Sequence, residues 1–194
     1  KAELIPERFD LKKLLKSVHG MLSVNAKSKG ITLELVETTK MPAWIEGDKG
    51  KLRQVLINLL GNAIKFTSKG GVSLRCGIQW LKNEDKDPTR LPARLELEVL
   101  DTGAGIAAEE VDNLFQKFVQ TQSGKSSQQG TGLGLAIVKG FTELMGGEIS
   151  VMSRPGFGTL FSLEIPVVEL TNVSLGGESG AKSSSADVVV LAPV

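Results

Sequence analysis

Two glycine-rich segments of this chain follow a predicted helix whose polar face carries amides and a lysine. The helix ends with residues 58–66, Asn-Leu-Leu-Gly-Asn-Ala-Ile-Lys-Phe. The glycine-rich segments are residues 101–106, Asp-Thr-Gly-Ala-Gly-Ile, and residues 130–135, Gly-Thr-Gly-Leu-Gly-Leu. Either glycine cluster alone is weak evidence, since glycine-rich turns serve many purposes. The three segments together predict a nucleotide-binding site, so the chain must fold in a way that brings them together.

The helix predicted over residues 49–66 places its amides, a lysine and an aromatic ring on one face. These residues are spaced i, i+4, i+7 and i+8, and they are Asn58, Asn62, Lys65 and Phe66. A simpler interpretation is an amphipathic helix with a solvated face, but this face is rich in amides rather than charges. The carbonyl oxygen of Asn suits a Mg²⁺ ion that already carries water and phosphate oxygens. The point charge of Lys65 suits a phosphate.

An aspartate stands at the end of the apolar strand predicted over residues 94–100. A partly buried carboxylate at Asp101 would accept a hydrogen bond from the exocyclic amine of adenine. Guanine presents a carbonyl at that place and would leave the acceptor unsatisfied. Gly103 and Gly105 allow the backbone to approach the ring closely or to take a positive φ. The competing interpretation is a simple turn in which Asp101 caps the next segment.

The second glycine-rich segment ends a polar loop and begins a helix predicted over residues 133–145. Backbone N–H groups at the N-terminus of a helix form a phosphate cradle when glycine leaves them uncovered. The segment has neither the P-loop pattern nor the Rossmann fingerprint, whose glycines follow a strand directly. The competing interpretation is a glycine-rich helix start that serves packing alone.

In order and spacing, these segments resemble the catalytic, ATP-binding domain of two-component sensor histidine kinases. The wider family includes gyrase B subunits, MutL and the heat-shock ATPase chaperone. The resemblance covers residues 9–167 and rests on an N box (58–67), two glycine boxes (101–106 and 130–139), a phenylalanine box (114–118) and a closing Gly-x-Gly-Thr segment (154–159). It implies a two-layer α/β (α+β) sandwich, the Bergerat or GHKL fold, whose mixed, mostly antiparallel sheet is covered on one face by helices.

The resemblance also implies roles at the phosphate end of the pocket. Asn62 would be the metal ligand for Mg²⁺, while Asn58 and Lys65 would contact phosphates and are the expected catalytic residues. The triphosphate of ATP would lie against the second glycine box, which comprises Gly130, Thr131, Gly132, Leu133, Gly134 and Leu135. Residues 119–129 would form a lid over ATP, with Phe115 and Phe118 packed at its base.

At the other end of the pocket, the resemblance implies that Asp101 selects adenine. The pocket around the base would be shaped by Gly103, Gly105 and Ile106. Thr159 would support the adenine site, and Phe66 would pack against the base or the ribose.

The phospho-acceptor of these kinases is a histidine on a separate dimerisation domain, in a motif resembling Ser-His-Glu-Leu-Arg-Thr-Pro. The single histidine of this chain, His19, lies on the first predicted helix without that context, so we interpret it as structural. The acceptor is expected upstream of Lys1. The chain is therefore expected to bind ATP, not to phosphorylate itself, and to act on a dimerisation domain whose phosphoryl group passes to a response regulator receiver domain.

Alternative functions follow from the same fold. One is a catalytically silent module that senses nucleotide and interacts with partners, and a serine kinase of the same superfamily is another. A third is a GHKL ATPase clamp, which needs a general-base Glu on the N-box helix. Here position 58 is Asn and residues 54–57 contain no acid, so water activation lacks its base.

Composition limits the remaining classes. Lys and Arg number 23 against 22 Asp and Glu, so charge does not favour nucleic acid or an anionic membrane as a partner. The single Cys76 lies in a predicted strand and is interpreted as a small hydrophobe. We expect a cytoplasmic, monomeric fragment, with any membrane anchor in another part of the full-length protein.

The expected organisation has three parts. Residues 1–8 would end an upstream dimerisation domain or linker, and residues 9–168 would form the ATP-binding domain. Residues 169–194 would be a flexible Gly/Ser linker towards a further domain, as in hybrid kinases.

Overall fold

The computed structural model describes residues 3–84, 87–111, 113–115 and 133–171. Over these residues the helices are α1 (Leu11–Ser28), α2 (Lys49–Phe66), α3 (Ala108–Val111) and α4 (Gly134–Leu144). The strands are β1 (Glu7–Asp10), β2 (Thr32–Glu37), β3 (Trp44–Gly47), β4 (Gly71–Trp80), β5 (Arg90–Asp101), β6 (Glu148–Arg154) and β7 (Gly158–Leu170).

The described strands form one mixed sheet in the order β1-β3-β7-β5-β4-β2, with β6 also paired to β7. Strands β2 and β4 are parallel, and the other pairs are antiparallel. One edge of β7 pairs with β5 along its length. Its other edge is shared, because β6 pairs with residues 158–164 and β3 with residues 168–169. The predicted mixed, mostly antiparallel sheet is confirmed.

The two faces of the sheet differ in character, as the alternation along the strands predicts. On one face, buried residues such as Leu74, Leu97 and Leu163 form a single core with the apolar sides of α1 and α2. The other face carries exposed ion pairs across neighbouring strands. Arg75 lies 3.5 Å from Glu98, and Arg94 lies 2.8 Å from Glu164. The predicted two-layer sandwich, with helices on one face, is confirmed.

Cys76 belongs to the core face of β4 and is fully buried. Burial and the negative charge of Glu37 raise the pKa of its thiol to about 12. The thiol therefore stays protonated and packs as a small hydrophobe, as the sequence predicts.

Both long helices begin at an aspartate. Asp10 accepts a hydrogen bond from Lys13 N. Asp48 ends a short strand and turn predicted over residues 44–48 and is expected to be the N-cap of the next helix; it accepts from Lys51 N at 2.9 Å. Asp48 also accepts from Ile5 N and from the ammonium of Lys51. Burial acts to raise the pKa of Asp48, but these hydrogen bonds and the Lys51 charge outweigh it and lower the pKa. The caps set where each helix starts.

Residues 82–92 are charged and contain two prolines, a pattern that predicts a solvated hairpin loop, and the structure departs from this prediction. Strand β5 begins at Arg90 and includes Pro92, which the sequence assigns to the loop. The carbonyl of Pro92 accepts a hydrogen bond from Leu81 N, just beyond the end of β4. Because the N and C=O of one residue in an antiparallel pair point to the same side, the proline nitrogen also faces the end of β4. A missing N–H there removes one bond at the end of the ladder, which the sheet tolerates.

Two other elements differ in length from the prediction. Strand β7 continues past the predicted end at Ile165 to Leu170, because β5 extends alongside it. Helix α3 spans only Ala108–Val111 of the predicted 108–118, part of which lies outside the described residues. No helix in the described part of the chain is long and apolar enough to cross a membrane.

Candidate nucleotide-binding site

Helix α2 presents the predicted polar face between the sheet and α4. Its apolar side is buried in the core through Leu52, Leu56, Leu59, Leu60 and Ala63. The four residues of the opposite face are half-buried: Asn58, Asn62, Lys65 and Phe66. The ammonium of Lys65 lies 4.9 Å from the centre of the Phe66 ring, a cation–π distance. The half-buried amides are therefore held at the edge of the core rather than on a freely solvated face.

Helix α4 begins directly against these amides. Asn58 Nδ2 lies 3.5 Å from the carbonyl oxygen of Gly134, and Gln54 Nε2 donates to Asn58 Oδ1 at 3.3 Å. A Cβ atom on Gly134 would lie 3.9 Å from Asn62 Nδ2. Leu133 and Leu135 flank this glycine and are half-buried. The structure thus brings the start of α4 to the polar face of α2, as the proposed phosphate end of the pocket requires.

Part of the predicted site lies outside the described residues. This applies to Gly130, Thr131 and Gly132, to Phe118, and to the predicted lid over residues 119–129. Phe115 is described, and its ring packs edge-on against Phe161 with centres 6.4 Å apart. This contact agrees with a packing role for Phe115.

Asp101 ends β5 as a buried carboxylate with 5% of its surface exposed. Its Oδ1 accepts a hydrogen bond from Gly103 N at 2.8 Å. Burial raises the pKa of this carboxyl above its ordinary value of 3.8, while hydrogen bonds from the backbone of Gly103 and Thr159 oppose that rise. The observed turn contact is the one expected of a capping Asp. Yet a buried carboxylate with acceptor capacity to spare is also what adenine selection requires.

The glycines after Asp101 stand where other chain segments touch the loop. A Cβ on Gly103 would lie 2.5 Å from the carbonyl oxygen of Phe66, at the end of α2. Gly105 has φ +70°, and a Cβ there would overlap the carbonyl of Arg154. The loop is closed by hydrogen bonds from Ala104 N to the Phe66 carbonyl and from Gly156 N to the Ala104 carbonyl. Close approach of other backbone segments therefore requires glycine at both positions, and Gly105 has the positive φ that the sequence allows for. The expected close approach to a base stays a prediction.

A serine that the sequence analysis missed joins the two sides of this loop. Ser153 Oγ accepts from Ile106 N at 2.9 Å, donates to the carbonyl of Gly158 at 2.9 Å, and lies 2.9 Å from Thr159 Oγ1. Thr159 is buried and stands opposite Asp101 in the sheet. Strand alternation is the signal that could have revealed Ser153, because it shares the inward side of β6 with Ile149 and Val151.

Replacing Ser153 with alanine is expected to destabilise the fold by about 1–3 kcal/mol, because the Ile106 amide loses its acceptor. Chemical denaturation of the S153A variant measures this. S150A, on the exposed side of the same strand, is the matched control and should stay within about 0.5 kcal/mol of the wild type. Equal losses of stability in S153A and S150A would show that the hydrogen bonds of the Ser153 hydroxyl do not stabilise the fold.

His19 lies away from this site, on α1. It is half-buried, and its Nε2 lies 3.1 Å from the carbonyl oxygen of Leu33. This contact with β2 agrees with the structural role expected for the residue.

Comparison with known proteins shows the family of this chain. Residues 47–169 match the family described as histidine kinase-, DNA gyrase B-, and HSP90-like ATPase. The chain belongs to this family. Within it, the domain is the catalytic ATP-binding domain of the sensor histidine kinases.

Among curated relatives, hybrid signal transduction histidine kinase B of Dictyostelium discoideum is 37% identical over 86% of this chain and 8% of its own length. Sensor protein GacS of Pseudomonas syringae pv. syringae is 40% identical over 87% of this chain and 19% of its own length. The chain therefore spans less than a fifth of the length of either relative.

Solved structures show the same fold. Full-length ShkA in complex with AMPPNP matches with a TM-score of 0.67 and 34% identity, covering 89% of this chain and 33% of ShkA. The nucleotide-free catalytic domain of histidine kinase ThkA matches with a TM-score of 0.62 and 25% identity, covering 84% of this chain and 97% of that domain.

Proposed function

We propose that this domain binds Mg²⁺-ATP and donates the γ-phosphoryl group to a histidine on a separate dimerisation domain, within two-component signalling. The proposal is supported by two groups of residues that meet at α2, one suited to adenine and the other suited to phosphate. The buried carboxylate of Asp101 accepts from Gly103 N, and Gly103 and Ala104 contact the last turn of the helix. The start of α4 contacts its amides at Asn58 and Asn62.

The adenine end of the pocket fits a base with an exocyclic amine. Asp101 is acceptor-only when ionised, and one of its oxygens already takes the Gly103 amide. The remaining acceptor capacity would take the amine of adenine, whereas the carbonyl of guanine would repel it. Ser153 and Thr159 fix the backbone next to this carboxylate, because their hydroxyls hydrogen-bond to each other and Ser153 also accepts from the amide of Ile106.

The phosphate end fits a triphosphate with its metal. The side chains of Asn58 and Lys65, with the N-terminus of α4, would meet phosphate oxygens. Asn62 offers one neutral oxygen, which suits Mg²⁺ that keeps several waters and phosphate oxygens as its other ligands. When bound, the metal would offset negative charge on the phosphates. The described residues contain no group of three or more His, Cys, Asp or Glu side chains that would hold a metal.

The role proposed for this chain is to hold ATP with its γ-phosphate accessible, since phosphoryl transfer depends on positioning and charge stabilisation. In the transfer, a bond forms between an imidazole nitrogen of the acceptor and the γ-phosphorus. The bond from that phosphorus to the β–γ bridging oxygen breaks, ADP leaves, and the imidazole releases a proton. Helix α2 carries no Asp or Glu, so it offers no carboxylate base to activate water for an ATPase clamp.

The first test is calorimetric titration of the chain with ATP and with GTP in the presence of Mg²⁺. We expect micromolar-to-millimolar ATP binding and no GTP binding. The N62A variant should lose most of the Mg²⁺ dependence of ATP affinity, because it removes the proposed metal ligand. N25A, the same substitution at an exposed position on α1, serves as the control.

The second test supplies a dimerisation domain from a related kinase together with radiolabelled ATP. We expect label on that domain and none on His19. Binding without transfer would favour the silent nucleotide-sensing alternative, whereas no ATP binding by the folded chain would contradict the nucleotide site itself. Stoichiometric phosphohistidine at His19 would contradict the proposed acceptor. The cognate receiver domain of a response regulator remains the expected next partner.

A further inference from the structure

The C-terminal end of α2 has an unusually complete set of hydrogen-bond partners. The last four carbonyls of a helix lack N–H donors within the helix itself. Here Ala63 O accepts from Thr67 N, and Phe66 O accepts from Ala104 N. The two carbonyls between them, of Ile64 and Lys65, accept from one side chain outside the helix, that of Lys29.

The ammonium of Lys29 donates to three carbonyl oxygens. Its Nζ lies 2.6 Å from Ile64 O, 2.8 Å from Lys65 O and 2.9 Å from Thr67 O. An ammonium has three N–H donors, so its donor capacity is used completely. Its positive charge also lies at the negative end of the α2 dipole.

The backbone of Lys29 is itself held in place at the end of α1. Gly30 has φ +70° and its N–H donates to Lys27 O, while Ile31 N donates to Ala26 O. This is the Schellman pattern of a helix C-terminus. Ala26 and Ile31 are both buried, so the motif is anchored in the core. Lys29 thus reaches α2 from a rigid base.

The turn that Lys29 caps carries residues of the nucleotide site. Lys65 and Phe66 lie in it, and the Phe66 carbonyl accepts from Ala104 N and packs against Gly103. Displacement of this turn would move the loop that holds Asp101 as well as the side chain of Lys65. The ammonium of Lys29 therefore supports both ends of the proposed pocket.

We propose that Lys29 is a positioning residue for the nucleotide site: by capping the last turn of α2 it fixes Lys65, Phe66 and the loop after Asp101. This inference rests on the proposed function of the site as an ATP pocket. Lys29 contacts backbone carbonyls alone in this network and acts on ATP through the turn.

The test compares three variants by ATP titration in Mg²⁺, well below the melting temperature of each. K29M keeps the length of the side chain and removes its charge and donors, so the dissociation constant should rise about tenfold as two helix carbonyls lose their partner. K29R should recover part of this loss, because its guanidinium keeps the charge and can donate to some of the carbonyls. K27M makes the same charge change on the exposed last turn of α1 and should bind ATP as the wild type does.

Hydrogen exchange gives a second readout that does not depend on ATP. In K29M the Ala104 amide, bonded to the Phe66 carbonyl, should exchange faster, while the amide of Leu59 in the middle of α2 should not. A purely stabilising role would lower the melting temperature of K29M but leave the ATP affinity of the folded chain unchanged. That result would overturn the proposal, as would equal losses in K29M and K27M.

The failure of the proposed function would be distinguishable from the failure of this inference. If the wild type binds no ATP, the proposed function fails, and hydrogen exchange decides whether Lys29 positions the turn. Faster exchange confined to Ala104 and its neighbours would support positioning. Equal acceleration at Ala104 and Leu59 would reject it.

Discussion

Replacing Gly158 with alanine is expected to lower the free energy of unfolding by about 3–5 kcal/mol, from backbone strain together with steric overlap. Gly158 has φ +110°, a conformation that side-chain-bearing residues rarely adopt. A Cβ at this position would also overlap the carbonyl of Asp101 and lie 3.0 Å from the Thr102 Cα. Relief requires β5 and β7 to separate where Asp101 and Thr159 pair.

Gly156, in the same turn, provides the matched control for this substitution. It also has a positive φ, of +78°, but a Cβ there would meet no atom within 4 Å. G156A should therefore cost only about 1–2 kcal/mol, the strain of the left-handed conformation alone. Urea denaturation of both variants measures the difference, which isolates the contact with Asp101. Equal losses of unfolding free energy in G158A and G156A would show that the close approach of β5 and β7 does not restrict the residue at position 158.

G158A should also weaken ATP binding, because the overlap moves the carboxylate that the proposed function assigns to adenine. Titration of the variant at a temperature where it remains folded checks this. Unchanged ATP affinity in a folded G158A chain would show that the position of Asp101 tolerates displacement.

Replacing Asp101 with asparagine is expected to weaken ATP binding by about 100-fold or more, since a buried acceptor then presents an amide donor to the amine of adenine. The same change should narrow or reverse the preference for ATP over GTP, because the carbonyl of guanine accepts from an amide. Titration of D101N with both nucleotides measures the two effects. E34Q, an exposed residue on β2, makes the same charge change away from the site and should behave as the wild type.

The same substitution should raise thermal stability at pH 7. Burial raises the pKa of the Asp101 carboxyl, so the folded chain holds this proton more tightly than the unfolded chain. Stability from this group is fully present below its unfolded pKa and is lost as the pH rises through its folded pKa. The gain in melting temperature of D101N over the wild type should therefore shrink as the pH falls towards about 4. A lower melting temperature of D101N at pH 7 would contradict this account.

A gain in stability with a loss of binding would identify Asp101 as a residue kept for function. A buried charge is costly unless it is fully paired, and functional sites commonly carry such costs. The opposite result, lost stability with retained ATP affinity, would support the turn-capping interpretation of Asp101.

The elements of this fold that depend on residues close together in the sequence were predictable from it. The starts of α1 and α2 follow from apolar spacing, and Asp48 was predicted as the cap of α2. Cys76 was predicted to lie in a strand as a small hydrophobe, and it is buried in β4. The glycines after Asp101 were expected either to approach a bound base closely or to take a positive φ, and Gly105 has a positive φ.

Other features depend on contacts between residues far apart in the sequence, and no local pattern predicts those contacts. A proline normally marks a loop, yet Pro92 lies at a rim of the sheet where its nitrogen needs no partner. Alternation places Ser153 on the inward side of β6, but its hydrogen bonds with Ile106 and Thr159 depend on a loop and a strand that the local pattern does not show. The extension of β7 to Leu170 depends on β5 continuing alongside it.

The sequence by itself determined the class of fold, the family and the order of the site segments, because caps, alternation and glycine boxes are read from residues near one another. The tertiary structure alone decided how those segments are held together. Lys29 is an ordinary lysine at the end of a helix until α2 ends beside it with unpaired carbonyls. Asp101 becomes a buried acceptor only when the turn before Gly158 closes against β5. Desolvation and hydrogen bonding depend on these distant neighbours, and no local sequence pattern specifies them.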